Sequence, residues 1–137
     1  MTAQAPAGYS GKPLIQKLGL KPGQILRVID PPPHYPALTA PLPEGARVVE
    51  GEAPEAAVTH LFVANRAALE RQAAGVIAGL ASGAALWISW PKKSSKRFVD
   101  LTEDGVREVV LPAGWVDVKV AAVDEDWSGL KFLRRKT

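Results

Sequence analysis

Apolar and polar positions fall into segments whose period changes along the chain. The stretch Ala84-Ala85-Leu86-Trp87-Ile88-Ser89-Trp90 is apolar but for Ser89, and Pro91 closes it. A short unbroken apolar run bounded by turn residues reads as a strand covered on both faces, as in a parallel sheet sandwiched by helices. Residues 58–64 have the same character, and 24–29 and 46–50 read as shorter strands. Between these runs the period lengthens. Leu69, Ala73, Val76, Ile77 and Leu80 recur at helical spacing behind Asn65, which predicts a capped helix over 66–80. Gly75 and Gly79 weaken that helix by about 1 kcal/mol each against alanine. Thr102, followed by Glu103 and Asp104, starts a further helix that turns Val106, Val109 and Val110 inward. Near the start, Leu14, Ile15 and Leu18 share a face of a short helix behind Ser10, with Gly19 as its stop.

The connections decide how these pieces assemble. From Pro31 to Gly45 there are six prolines, which leave room for at most one helical turn around 34–38. Residues 115–123 read as a fifth strand. The segment 124–129 after it is too short for a parallel crossover, so 130–135 must return antiparallel. Strands alternating with helices predict an α/β three-layer sandwich with a mostly parallel, Rossmann-like sheet, finished by a C-terminal antiparallel hairpin. At 137 residues the chain fits one domain, spanning 8–137 behind a flexible 1–7 segment.

Charge singles out one place on that frame. Eight of the seventeen Lys and Arg residues are Lys92, Lys93, Lys96, Arg97, Lys131, Arg134, Arg135 and Lys136. The first four follow the 84–90 run directly, where a strand's carboxyl end opens into a loop, and ligands of open parallel sheets bind beyond such ends. Lys92, Lys93, Lys96 and Arg97, with the Ser94 and Ser95 hydroxyls between them and Trp90 beside them as a stacking face, make a candidate anion-binding lip. The plain alternative is a solvated charged loop. The C-terminal cations read as protection of an exposed edge strand. His34 and Tyr35 after the first strand, Glu50 after the second and Asn65 after the third are secondary candidates for the same cleft, His34 as an acid or base. His60 reads as a core histidine and Trp87 as core. Trp90, Trp115 and Trp127 lie at strand ends as packing lids or partner anchors.

Other chemistry is thin. With no cysteine and two histidines, neither a disulfide framework nor a thiolate or histidine-rich metal site is expected, so no metal is assigned. Neither a Walker loop, a Gly-x-Ser-x-Gly elbow nor a His-Glu-x-x-His motif is present. Gly8-Tyr9-Ser10-Gly11-Lys12 lacks the preceding strand and the spacing of a phosphate loop. No catalytic residue is assigned. The start lacks signal-peptide features and no stretch of eighteen apolar residues occurs, so the reading is a soluble cytoplasmic protein without a membrane partner. A net charge of +3 makes nucleic acid a less favoured partner than a small anion or an acidic protein. A homodimer is open.

Two resemblances add to this. The combination Gly8-Tyr9-Ser10-Gly11, His60-Leu61-Phe62-Val63, Leu86-Trp87-Ile88-Ser89-Trp90-Pro91-Lys92-Lys93, Asp100-Leu101-Thr102-Glu103-Asp104 and Val123-Asp124-Glu125-Asp126-Trp127-Ser128-Gly129-Leu130-Lys131-Phe132 resembles a family of short bacterial proteins catalogued only as a domain of unknown function, which implies no activity. The order of elements, with Lys21-Pro22-Gly23 before the first strand, resembles a degenerate, shortened class I S-adenosylmethionine-dependent methyltransferase fold lacking one βα unit. That family carries a glycine-rich turn after its first strand where the backbone approaches the cofactor. Here Asp30-Pro31-Pro32-Pro33 stand instead, although Glu50 occupies the place of the family's ribose-binding acid. The resemblance therefore implies the fold, and no cofactor is expected. The expected function is a non-enzymatic binding or regulatory module for an anionic ligand or acidic partner. The alternative is an enzyme acting on a phosphorylated or nucleotide-like small molecule, residual methyl transfer included, with His34, Tyr35 and Lys93 as the available chemistry.

Overall fold

The structure, a computed structural model, describes residues 13–135. The 1–7 segment, the Gly8–Gly11 turn with its Ser10 cap, and Lys136 lie outside the described residues. The elements are α1 (Leu14–Leu18), β1 (Ile25–Ile29), α2 (Tyr35–Thr39), β2 (Arg47–Val49), β3 (Val58–Phe62), α3 (Arg66–Ala78), β4 (Ala85–Pro91), α4 (Glu103–Val110), a 3-10 turn (Leu111–Ala113), β5 (Trp115–Ala122) and β6 (Trp127–Arg134).

One six-stranded sheet runs in the order β2-β1-β3-β4-β6-β5. Strands β2, β1, β3 and β4 are parallel, and β6 is antiparallel to both β4 and β5. From β1 the chain passes outward to β2 and then across to β3, so the strand order reverses between β1 and β3, where ligand crevices form in such sheets. Every residue of β3 and β4 is buried, which is why these two strands are largely apolar without alternation, their polar members Thr59, His60 and Ser89 lying inside.

Each face of the sheet has its own core. On one, α3 and α4 press Leu69, Val76, Val106 and Val110 against Leu61, Leu86, Ile88, Leu130 and Phe132. On the other, α1 and the proline-rich segment with α2 bring Leu14, Leu18 and Tyr35 onto Leu26, Val28, Phe62 and Trp87. Burying each large side chain contributes about 1.5–3 kcal/mol. The helix ends are local chemistry. Asn65 Oδ1 accepts from the Ala68 N–H at 2.8 Å, and Thr102 Oγ1 accepts from the Gly105 N–H at 3.1 Å. Helix α3 stops at Ala78, short of the expected Leu80, because the Gly79 N–H bonds back to Val76 O at 3.1 Å. Gly19, at φ 81°, takes the left-handed closing position of α1, which a side chain would strain.

One expectation needs correction. The cations Lys131, Arg134 and Arg135 do not guard an edge, because β6 is an interior strand and β5 is the edge. Leu130 and Phe132 are fully buried, whereas the middle of β5, Val118 to Val120, is exposed. The strand that carries Leu130 and Phe132 takes the covered position beside β4. The edge is protected instead by Lys119 and by a bulge between Asp117 and Lys119, and the Arg134 guanidinium lies 5.0 Å over the Trp115 ring. Of the two roles open to the strand-end tryptophans the structure favours packing: Trp90, Trp115 and Trp127 are 4%, 1% and 8% exposed. Among the described residues no helix is long and apolar enough to cross a membrane.

Candidate functional site

The four parallel strands end on one edge of the sheet, and two hollows open along it. The first, about 470 Å³, lies beyond β1 and β2 and is lined by Asp30, Pro31, Pro32, Pro33, Tyr35 and Glu50 among others. Asp30 is the one non-glycine residue at positive φ (56°) among the described residues, a conformation that Asp tolerates better than most side chains. Its Oδ2 accepts a long hydrogen bond from Gln72 Nε2 at 3.4 Å.

Beneath this hollow lies a buried polar relay. Tyr35 Oη is 2.9 Å from His60 Nδ1, and His60 Nε2 is 2.6 Å from Ser89 Oγ. Burial pushes the His60 imidazole down to about 3 and raises the Tyr35 phenol, so the ring is neutral, with one nitrogen donating and the other accepting. Hydroxyl–imidazole spacing of this kind suits proton transfer, but His60 and Ser89 are 0% exposed and Tyr35 2%. The relay satisfies polar groups inside the core and ties α2 to β3 and β4.

The second hollow, about 410 Å³, lies beyond β4 and is lined by Trp90, Lys92, Lys93, Thr102, Glu103 and Asp104 among others. The basic loop beside it is a folded turn. The Ser95 N–H donates to Lys92 O at 2.9 Å and the Phe98 N–H to Ser95 O at 3.2 Å. It is fastened to the β5–β6 turn: the Lys92 N–H donates to Asp126 O at 2.8 Å, and Ser95 Oγ donates to Asp126 Oδ1 at 3.0 Å. Asp124 holds that turn, its Oδ1 accepting from the N–H groups of Asp126 and Trp127 at 2.8 and 2.9 Å. Its Oδ2 meets His34 Nε2 at 2.6 Å. Lys93, Lys96 and Arg97 are exposed, and the ion pairs among the described residues include none of them.

The structure thus gathers some expected site residues and redirects others. Trp90, Lys92 and Lys93 line one hollow and Ser94, Lys96 and Arg97 are exposed on the same loop, but Trp90 forms a wall, not a free stacking face, and Ser95 is spent on Asp126. Tyr35 and Glu50 share the other hollow, yet Tyr35 turns its hydroxyl to His60 and His34 turns its ring to Asp124. Asn65 is committed to capping α3, and the positive end of α4 already faces its own Glu103 and Asp104. Asp30 lines the first hollow, and Asp124 and Asp126 fasten the basic loop beside the second. The acidic turn 124–126 facing a basic loop was the available signal for the last two.

No protein-family model matches the chain, and no curated protein matches it. Among solved structures it is similar to a SAM-dependent methyltransferase from Aquifex aeolicus, with TM-score 0.65 and 12% identity over 91% of this chain and 89% of that one. It is also similar to PigF with SAH (TM-score 0.57, 9% identity, 90% of this chain and 62% of that one). A third is LepI in complex with SAM (TM-score 0.51, 17% identity, 89% and 39%). The chain therefore spans less than two thirds of the length of PigF and LepI. Its own cleft does not fit that cofactor in the usual way. Pro31, Pro32 and Pro33 have no backbone N–H to offer, and Asp30 puts a Cβ where a glycine turn would admit a ligand's close approach. At these identities the likeness concerns architecture: the chain has the Rossmann-like α/β fold of S-adenosylmethionine-dependent methyltransferases.

Proposed function

We propose that this chain is a binding module that takes an anionic group at the lip beyond β4. The observation that carries the reading is the set of exposed cations, Lys93, Lys96 and Arg97, that have no ion-pair partner among the described residues and stand on a hydrogen-bonded turn at a strand's carboxyl end. Ordering matters because a preorganised cationic turn loses less freedom on binding than a disordered one. Arg66 and Arg107, by contrast, are engaged by carboxylates and have less to offer a ligand. The proline-walled hollow by Glu50 supports the second reading, an enzyme on a nucleotide-like small molecule, through its size and its two carboxylates, Asp30 and Glu50.

Thermal shift and calorimetry separate the two. Tripolyphosphate raises the melting temperature by mass action, while S-adenosylmethionine and its homocysteine product leave it unchanged. In Lys93→Ala/Lys96→Ala, tripolyphosphate binding weakens and its dependence on salt flattens, since fewer phosphate charges are neutralised. Unchanged affinity in that double variant removes the anion-binding reading. A melting shift with the methyl donor restores the enzyme reading.

A further inference from the structure

We propose that Asp126 is a built-in competitor for the lip, its carboxylate occupying the Ser95 hydroxyl that an incoming oxyanion takes. This rests on the anion-binding reading of the lip and adds to it a resting state and a ligand preference.

The geometry is specific. Ser95 Oγ donates to Asp126 Oδ1 at 3.0 Å and accepts from the Arg97 N–H at 3.0 Å. A hydroxyl has one proton, so while Ser95 serves Asp126 it cannot serve a ligand. Asp126 thereby sets a carboxylate against the turn whose sequence carries Lys92, Lys93, Lys96 and Arg97, and it holds the hydroxyl that an external oxyanion would take.

Exchange is local because the backbone on both sides is held independently of that contact. Asp126 O accepts from the Lys92 N–H at 2.8 Å, extending the Pro91–Trp127 pairing of β4 and β6. The Asp126 N–H is held by Asp124 Oδ1 at 2.8 Å, and Asp124 is held by His34 at 2.6 Å. Rotation of one side chain therefore frees the Ser95 hydroxyl and leaves the turn in place. One charge-assisted hydrogen bond is lost from Asp126 and one is regained by the ligand.

The competitor also sets a preference. An intramolecular carboxylate acts at high effective concentration, so a lone external carboxylate displaces it poorly. A phosphate group carries a charge of about −1.5 to −2 and three acceptor oxygens, and it engages Ser95 and the neighbouring cations at once. The inferred ligand class is a phosphomonoester or polyphosphate rather than a simple carboxylate.

The test is a mutant cycle on the full chain, with tripolyphosphate and citrate as calorimetric probes and melting curves to verify folding. Asp126→Ala should bind tripolyphosphate about threefold to tenfold more tightly, and Asp126→Asn, which keeps an acceptor without the charge, should gain less. Ser95→Ala should bind more weakly, and Asp126→Ala should gain markedly less in the Ser95→Ala background. Citrate should trail tripolyphosphate in the wild type and gain relatively more from Asp126→Ala. Equal gains with and without Ser95 reduce Asp126 to a through-space charge and overturn the proposal, as does any loss of affinity in both Asp126 variants. Loss of binding in Lys93→Ala/Lys96→Ala without a gain in the Asp126 variants sinks the competitor alone. No binding by any variant sinks both readings.

Discussion

The two ends of the carboxyl edge handle polar groups in opposite ways. Beyond β1, the proline-rich segment lies over a relay, Tyr35–His60–Ser89, in which each polar group is buried and each has a partner. Beyond β4, the cations are exposed, and what is ordered is the backbone that presents them. A buried hydrogen-bonded group is costly to disturb because removing its partner leaves it dehydrated and unpaired. An exposed charge is cheap to remove and acts on whatever approaches it. The proline end should therefore answer mutation in stability and the lip end in binding.

The largest effect expected from that contrast is on pH. The His60 ring resists protonation in the fold until about pH 3, against 6.5 for an ordinary histidine. Between those values the unfolded chain binds the proton and the native chain does not, so stability rises with pH through this window. The His60 contribution is complete above pH 6.5 and declines on acidification at up to about 1.4 kcal/mol per pH unit. Urea unfolding at pH 7.5, 5.5 and 4.5 measures the slope. His60→Gln, which retains polar atoms but does not titrate, should flatten it. A slope unchanged in that variant would place the acid sensitivity elsewhere.

Next in size is the relay itself. Tyr35→Phe removes the partner of His60 Nδ1 and leaves that nitrogen buried, at a cost of about 1–3 kcal/mol. Lys93→Ala/Lys96→Ala should move stability by less than about 0.5 kcal/mol, although it is the variant proposed to weaken polyanion binding. Denaturant midpoints for both, measured side by side, test the division directly. If the lip variant lost as much stability as Tyr35→Phe, the two ends would not differ as described.

What the sequence disclosed follows the same line between local and distant chemistry. The caps at Asn65 and Thr102, the stop at Gly19 and the buried runs of β3 and β4 were legible because each depends on residues within one turn or on burial of a whole strand. Proline spacing alone limited the 31–45 connector to one helical turn around 34–38, and the turn that forms is Tyr35–Thr39. The relay was not legible, because it joins residues on three elements whose side chains meet only after the sheet has formed. The place of β6 inside the sheet was missed for a related reason. Its cations suggested an edge, whereas Leu130 and Phe132 decided which strand of the hairpin is covered. The candidate lip was read from charge, but the Ser95–Asp126 contact beside it depends on the β4–β6 pairing, which puts Pro91 opposite Trp127.

An effect smaller than that of the relay is expected at Asp30, where the proline end carries strain of its own. A non-glycine residue in the left-handed region costs about 1–2 kcal/mol, and Pro31 restricts the residue before it further. Asp30→Gly releases that strain but adds freedom to the unfolded chain worth about 0.4–1 kcal/mol. The one side-chain bond it gives up, from Gln72, is long at 3.4 Å. The net expectation is a gain of about 1 kcal/mol or less, read as a rise of a few degrees in melting temperature, with tripolyphosphate affinity at the lip unchanged. A fall in melting temperature would mean that the Asp30 carboxylate contributes more to the fold than its bond to Gln72. A change in lip affinity would mean that the two ends of the edge are coupled, through His34 and Asp124, rather than separate.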